Sequence, residues 1–268
     1  MKRLLHITDC HLFADPDRTG YGDIKPYYSL ARILSRVFNL CENEPQTEAY
    51  DGSAQPTTHA PGHIDGVIVT GDISGDDSKQ SYLHFRQLIA RYVSVPLWVI
   101  PGNHDNNPYF SQLLGDLWLQ AGTRQVFGQW CLHGLDTRTT GTQGIIDNDQ
   151  LLSVSNAIAQ QESRHHLLCI HHHVYPTGSW MDTHNLRNPE RLINWLKHQR
   201  EVKALIHGHV HTPLRQFVDA TKIPIFGAPS TSWQWQMSVD FSVSTLSPGY
   251  QILTLHPTGN LSVEIERI

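Results

Sequence analysis

Five short apolar runs along the chain each end abruptly in polar, metal-competent residues. Leu4-Leu5-His6-Ile7-Thr8 runs into Asp9-Cys10-His11, and Gly66-Val67-Ile68-Val69-Thr70 runs into Gly71-Asp72. Pro96-Leu97-Trp98-Val99-Ile100 leads to Pro101-Gly102-Asn103-His104-Asp105. His166-Leu167-Leu168-Cys169-Ile170 leads to His171-His172-His173, and Val202-Lys203-Ala204-Leu205-Ile206-His207 to Gly208-His209-Val210-His211. Runs this short, nearly continuous and rich in Val, Ile and Leu, predict strands buried on both faces.

The stretches between them carry helical periodicity. Tyr28 to Cys41 aligns Leu30, Ile33, Leu34, Val37 and Phe38 on one stripe. Ser81 to Val93 does the same with Tyr82, Phe85, Leu88 and Ile89, and Asp149 to Glu162 with Leu151, Leu152, Val154 and Ile158. Asn188-Pro189-Glu190 reads as an N-cap followed by proline at the first helical position, opening a helix through Leu192, Trp195 and Leu196. Strand alternating with helix predicts a layered α/β sandwich. In such sheets ligands bind beyond the C-terminal strand ends, where all five polar clusters fall.

Two stretches depart from this rhythm. Residues 42–63 are polar, with Pro45, Gly52, Pro56, Pro61 and Gly62, and read as an inserted surface loop. From Ile223 onward the pattern turns β-rich. Tyr250 to Leu255 and Leu261 to Ile265 flank Pro257-Thr258-Gly259-Asn260 as a hairpin. No repeat or linker divides the chain, so one domain over residues 1–268 is expected.

Composition narrows the chemistry. A net charge of −5 on 268 residues announces no broad nucleic-acid surface, so an anionic substrate needs positive charge from elsewhere, such as metal ions. Cys10, Cys41, Cys131 and Cys169 are scattered, which suggests neither a zinc knuckle nor a disulfide framework. The apolar run at the N-terminus is too short for a signal peptide or a membrane span, and a cytoplasmic protein is expected. Eighteen histidines stand out, because histidine is both a metal ligand and a proton shuttle.

Taken singly, the motifs are weak. Asp-x-His is common, Gly-Asn-His-Asp equally serves as a turn because Gly and Asn tolerate positive φ, and three consecutive histidines equally form a solvated cluster. Gly-His-Val-His suits ligation from a strand end better. The conjunction is far stronger, since five groups of N and O donors each follow a buried-strand signature. Among the three histidines, alternation in an extended chain places His171 and His173 on one side and His172 on the other.

The ordered set Asp9-x-His11, Gly71-Asp72, Gly102-Asn103-His104-Asp105, His171 and Gly208-His209-x-His211 resembles the calcineurin-like metallophosphoesterase superfamily. Further stretches are similar to bacterial class III 3′,5′-cyclic-AMP phosphodiesterases. They are His171-His172-His173, Gly178 to Asp182, Leu186-Arg187-Asn188, Ala228 to Thr231 and Pro248-Gly249-Tyr250. The resemblance implies a four-layer α/β/β/α sandwich and two metal sites. One is held by Asp9, His11, Asp72 and His211, and the other by Asp72, Asn103, His171 and His209, with Asp72 bridging. His172 and His173 are expected to support the ligands or face the substrate. The cations are expected to be an iron–manganese or di-manganese pair, with Zn, Co and Ni also compatible with these donors.

The reaction implied is hydrolysis of cyclic AMP to 5′-AMP by a metal-bridging hydroxide, with His104 as general acid to the leaving oxygen. His11, Asp72, Asn103, His104 and His211 are the expected substrate contacts, and Asp105 either orients His104 or caps a turn. Trp180, His184, Trp233 and Trp235 frame a nucleobase or simply pack together. Three rivals stand beside this reading: another phosphodiester or phosphomonoester, a non-catalytic metal-binding regulatory protein, and a mononuclear zinc hydrolase, which Asn103 and a shared Asp72 fit less well than they fit two metals. The partner expected is a small cyclic nucleotide rather than nucleic acid or membrane, with the chain as monomer or homodimer.

Overall fold

A computed structural model of the chain describes residues 1–38, 63–161, 163–219 and 221–268. The first half runs β1 (Lys2–Ile7), α1 (Pro26–Val37), β2 (Gly66–Thr70), α2 (Lys79–Tyr92), β3 (Leu97–Ile100), α3 (Pro108–Leu114), β4 (Gln125–Phe127) and β5 (Trp130–Gly134). The second half runs α4 (Asn148–Ala159), β6 (His165–Cys169), α5 (Pro189–Leu196), β7 (Val202–His207), β8 (Leu214–Phe217), β9 (Pro224–Gly227), β10 (Gly249–Leu255) and β11 (Leu261–Arg267). All five expected strands are present, and β10 and β11 pair antiparallel as the expected hairpin. The expected insertion at 42–63 lies, apart from His63, outside the described residues.

The strands form two sheets, in the orders β11-β10-β1-β2-β3 and β4-β5-β6-β7-β9-β8. β1, β2 and β3 run parallel in the first; β5, β6, β7 and β9 run parallel in the second. Side-chain alternation along these strands then builds three cores. Leu5, Ile7, Val67, Val69 and Val99 pack under α1, α2 and α3, while Leu168, Ile170 and Leu205 pack under α4 and α5. The intervening positions Leu4, Ile68, Ile100, Leu167, Ala204 and Ile206 meet between the sheets. Helix, sheet, sheet, helix is therefore the layer order. This explains the continuous apolar runs, since a strand covered on both faces has no polar side. Each fully buried aliphatic side chain contributes roughly 1.5–3 kcal/mol.

The helices start near the expected positions. Ser78 caps α2 by accepting from Ser81 N–H, and Asp147 caps α4. Asn188 precedes α5 but does not cap it. Its amide instead accepts from Ile146 N–H and donates to the Ile146 carbonyl, tying the helix entry to the preceding loop. No helix among the described residues is long and apolar enough to cross a membrane.

Candidate metal centre

The parallel strands of both sheets release their polar clusters at one edge of the sandwich. β1 delivers Asp9 and His11, β2 delivers Asp72, and β3 delivers Asn103 and His104. From the second sheet β6 delivers His171, and β7 delivers His209 and His211. The loops after β1 and β2 stay paired beyond the sheet, with Asp9 N–H donating to Gly71 O, His11 N–H to Asp72 O and Leu12 N–H to Ile73 O. Asp9, His11, Asp72, His209 and His211 all take left-handed backbone angles, with φ of 53°, 46°, 53°, 69° and 49°. Such angles cost a non-glycine residue free energy and gather at functional sites.

The eight expected residues converge. Asp9, His11 and His211 form one group of donors, and Asp72, His171 and His209 form another. In the first, His11 Nε2 and His211 Nε2 lie 3.1 Å apart, and Asp9 Oδ1 is 3.3 Å from His211 Nε2. In the second, His171 Nε2 is 3.2 Å from His209 Nδ1 and 3.2 Å from Asn103 Oδ1. Asp72 Oδ2 stands between the groups, 3.8 Å from His11 Nε2 and 3.4 Å from His171 Nε2. Its other oxygen accepts from His104 N–H at 2.9 Å, which holds Oδ2 toward both groups.

Hydrogen bonds fix which imidazole nitrogens face inward. His211 Nδ1 donates to the Trp233 carbonyl at 2.8 Å, His171 Nδ1 to Thr70 O at 2.7 Å, and His209 Nε2 to His184 O at 3.0 Å. A carbonyl only accepts, so each of these nitrogens carries the proton, and the opposite nitrogen turns toward the centre. This is the support that ligating histidines require. Asp9 Oδ1 is buried without a hydrogen-bond partner, which is costly unless a cation satisfies it. The donor set of imidazole, carboxylate and amide oxygen without thiolate fits divalent transition metals.

Electrostatics point the same way. Burial alone would raise the Asp72 carboxyl, but His171, His104 and His11 around it hold it well below the usual carboxylate range. Asp9 is likewise lowered against its burial by His211 and His171. Burial opposes charge on His171, yet the Asp72 and Asp9 carboxylates and the Thr70 carbonyl push it up to about 9. This pocket stabilises positive charge at the point where the donors meet.

His104 differs from the ligand candidates. It is exposed, and its ring stands edge-on to His11 with centroids 4.9 Å apart. Asp105, buried beneath it, caps its own turn by accepting from Gly102 N–H at 2.9 Å. It also accepts from Ile73 and Ser74 N–H and from the Tyr82 hydroxyl, which joins the loop after β2 to the loop after β3. Neither Gly102 nor Asn103 uses positive φ as the turn reading supposed. Gly102 is glycine because a Cβ there would collide with the Asp72 carboxylate.

The three histidines depart from the alternation expected of them, because β6 ends at Cys169 and the chain bends. All three are fully buried. His172 bonds to Thr137 Oγ1 and Thr142 O, and its ring lies 4.6 Å from that of His209. His173 stacks on His209 at 5.8 Å, with Asp182 3.7 Å away. Both rings lie against His209, and neither is among the residues lining the cavity over the centre.

Sequence reasoning missed the role of residues 228–235. Ser230 and Ser232 hydroxyls donate to Asp9 O, and Trp233 supplies the carbonyl that orients His211. Trp233 also stacks on His11 at 4.9 Å, and Trp235 on His211 at 4.7 Å. The sequence marked Ala228 to Thr231 only by resemblance and Trp233 and Trp235 only as base contacts or packing, because a backbone acceptor carries no residue identity. A cavity of about 570 Å³ opens over the centre, lined in part by His104, Trp180, His184, Trp233 and Trp235.

This fold and centre define a metallophosphoesterase. The chain belongs to the calcineurin-like phosphoesterase family, whose model matches residues 2–213. It is 32% identical to a 3′,5′-cyclic adenosine monophosphate phosphodiesterase, CpdA, of Escherichia coli, over 99% of this chain and 90% of that one. It is 29% identical to the CpdA of Haemophilus influenzae over the same shares. Among solved structures it shares its fold with a dimetal phosphatase of Danio rerio, at a TM-score of 0.62 and 12% identity, over 94% of this chain and 95% of that one.

Proposed function

We propose that the protein hydrolyses 3′,5′-cyclic AMP to 5′-AMP at a two-metal centre held by Asp9, His11, Asp72, Asn103, His171, His209 and His211. The observation that carries hydrolysis is the convergence of these donors from both sheets, with the imidazoles of His171, His209 and His211 locked by backbone carbonyls. The similarity to CpdA enzymes over 99% of the chain supports the choice of cyclic AMP. Bound metal ions supply Lewis acidity and lower the pKa of water toward neutrality.

The protein's own residues do the rest. Asp72, placed between the groups, would help hold both cations and offset the charge between them. The Asn103 amide adds an oxygen ligand without adding negative charge. His104, at the exposed rim, would give its proton to the 3′ oxygen as the bond from that oxygen to phosphorus breaks, while hydroxyl passes from water to phosphorus and the water's remaining proton leaves to solvent. His11, Asp72, Asn103, His104 and His211 line the floor on which the phosphodiester rests. The two sheets share one core and both supply ligands, which supports a single catalytic domain. Cys10, Cys131 and Cys169 are free thiols, which supports a reducing, cytoplasmic setting.

The test is metal analysis of the purified protein beside hydrolysis of cyclic AMP, 2′,3′-cyclic nucleotides, glycerophosphodiesters and a phosphopeptide at equal metal loading. Two metals per chain and preference for cyclic AMP are expected. A preference for another ester moves the enzyme elsewhere in the family. Two metals with no activity on any phosphoester overturns the enzymatic reading.

A further inference from the structure

The cavity has a wall that the hydrolytic chemistry leaves unused. Beside the ligand floor, in the same cavity, stand Tyr21, Trp180, Trp235 and Phe241, brought from three separate stretches of chain. They brace one another edge to face. Trp180 and Phe241 have ring centroids 4.9 Å apart at 73°, Trp180 and Trp235 5.3 Å at 78°, and Tyr21 and Trp235 5.3 Å at 70°. This interlocked geometry is the favourable one for aromatic rings and resists rearrangement. Yet Tyr21 is 48% and Phe241 53% exposed. A grouped apolar face left open to solvent beside a polar centre marks a binding surface.

The wall is continuous with the centre. Trp235 lies on His211 with its plane at 22°, so the aromatic surface begins where the ligand imidazoles end. A substituent on a phosphoester held at the floor must pass along it. We infer that this wall is the subsite for the nucleobase, a planar heteroaromatic group recognised by stacking on Tyr21, Trp180, Trp235 and Phe241. The inference rests on the cyclic-nucleotide reading and sharpens it. Of the four residues singled out for base contact in the sequence, Trp233 serves the centre, stacked on His11. His184 gives its carbonyl to His209 and its Nδ1 to Thr142. Trp180 remains, Trp235 joins the wall to the centre through its stack on His211, and Tyr21 and Phe241 complete it. Stacking reads a π-face and not a pattern of donors, so purine identity matters less than the presence of a base.

The experiment compares equilibrium binding of 5′-AMP and ribose 5-phosphate to the metal-loaded protein, by calorimetry and by quenching of indole fluorescence, alongside cyclic-AMP hydrolysis. Wild type should prefer 5′-AMP, with quenching by the nucleotide and none by the sugar phosphate. The double variant Tyr21→Ala/Phe241→Ala should lower that preference by roughly 5- to 150-fold, the range for loss of base stacking. Tyr21→Phe and Phe241→Tyr should keep it, which separates stacking from general damage. If wild type hydrolyses cyclic AMP but binds both ligands alike, or the double variant keeps the full preference, the subsite is wrong and the catalytic reading stands. If wild type does not hydrolyse cyclic AMP, the catalytic reading fails and the subsite falls with it.

Discussion

Asp9, His11, Asp72, His209 and His211 hold left-handed backbone angles that cost of order 1–3 kcal/mol each. Asp and His tolerate that region better than most residues, and the paired loops around them over-determine the conformation. Close approach is bought by glycine at the same places: a Cβ at Gly71 would meet His171 Nδ1 at 2.5 Å, and one at Gly102 would collide with Asp72. Gly102→Ala should therefore displace the Asp72 carboxylate and reduce bound metal and turnover together. Gly141→Ala has only its positive φ to suffer, with nothing within 4 Å, and should leave metal content unchanged. Equal metal loading in the two variants would refute this account. His104→Ala should keep both metals and lose roughly 10²–10⁴-fold in turnover, as removal of a general acid does. Turnover at the wild-type rate would remove His104 from that role. The identities of these residues were legible as motifs. The reason for Gly102 was not, because a steric limit set by Asp72, thirty positions away, leaves no local pattern.

Among the elements, the stretch 228–235 lies beyond the family match at 213 and still touches both Asp9 and His211. Its indoles back His11 and His211 and leave the His171 side alone. Trp233→Ala should weaken one metal equivalent by roughly 10- to 100-fold, the usual cost of losing support behind a ligand. The second equivalent should bind normally, and Trp233→Phe should restore the first. Titration with metal, followed by calorimetry, separates these outcomes; equal weakening of both equivalents would count against the asymmetry. The elements themselves were unevenly readable. β1, β2, β3, β6 and β7 stood out because burial on both faces leaves an uninterrupted apolar run. β5 escaped notice, since Trp130-Cys131-Leu132-His133-Gly134 carries a histidine in its middle. That histidine is 1% exposed and lies 2.7 Å from His166 Nδ1 through its Nε2, a partner only the sheet supplies. α3 is seven residues long, too short for helical periodicity to show.

Across the whole molecule, buried histidines outside the centre contribute to the response to acid. Burial lowers His6 to about 3 and His133 to about 4, from an ordinary value of 6.5. The unfolded chain gains protons as pH falls through 6.5, while the folded protein stays neutral at these sites until about pH 4 or below. The contribution of these two groups to stability is thus complete above pH 6.5 and declines as pH drops, by up to about 1.4 kcal/mol per pH unit for each group, whereas His171, raised to about 9, contributes fully below pH 6.5 and less as pH rises. Denaturant midpoints of metal-free protein between pH 7 and pH 5 should show this decline, and His133→Leu should flatten it; an unchanged slope would rule His133 out. By itself the sequence determined the layered α/β class and the strand ends that carry chemistry, which follow from local periodicity and residue type; the choice of eight residues within those clusters came from the family resemblance. The resemblance already implied two sheets; only the tertiary structure decided which strands each sheet takes and in what order. It also decided which imidazole nitrogen faces inward, and that Tyr21 and Phe241 join Trp180 and Trp235 in one wall. Each of these depends on contacts between residues far apart in the chain, where packing and backbone hydrogen bonds, not neighbouring side chains, select the arrangement.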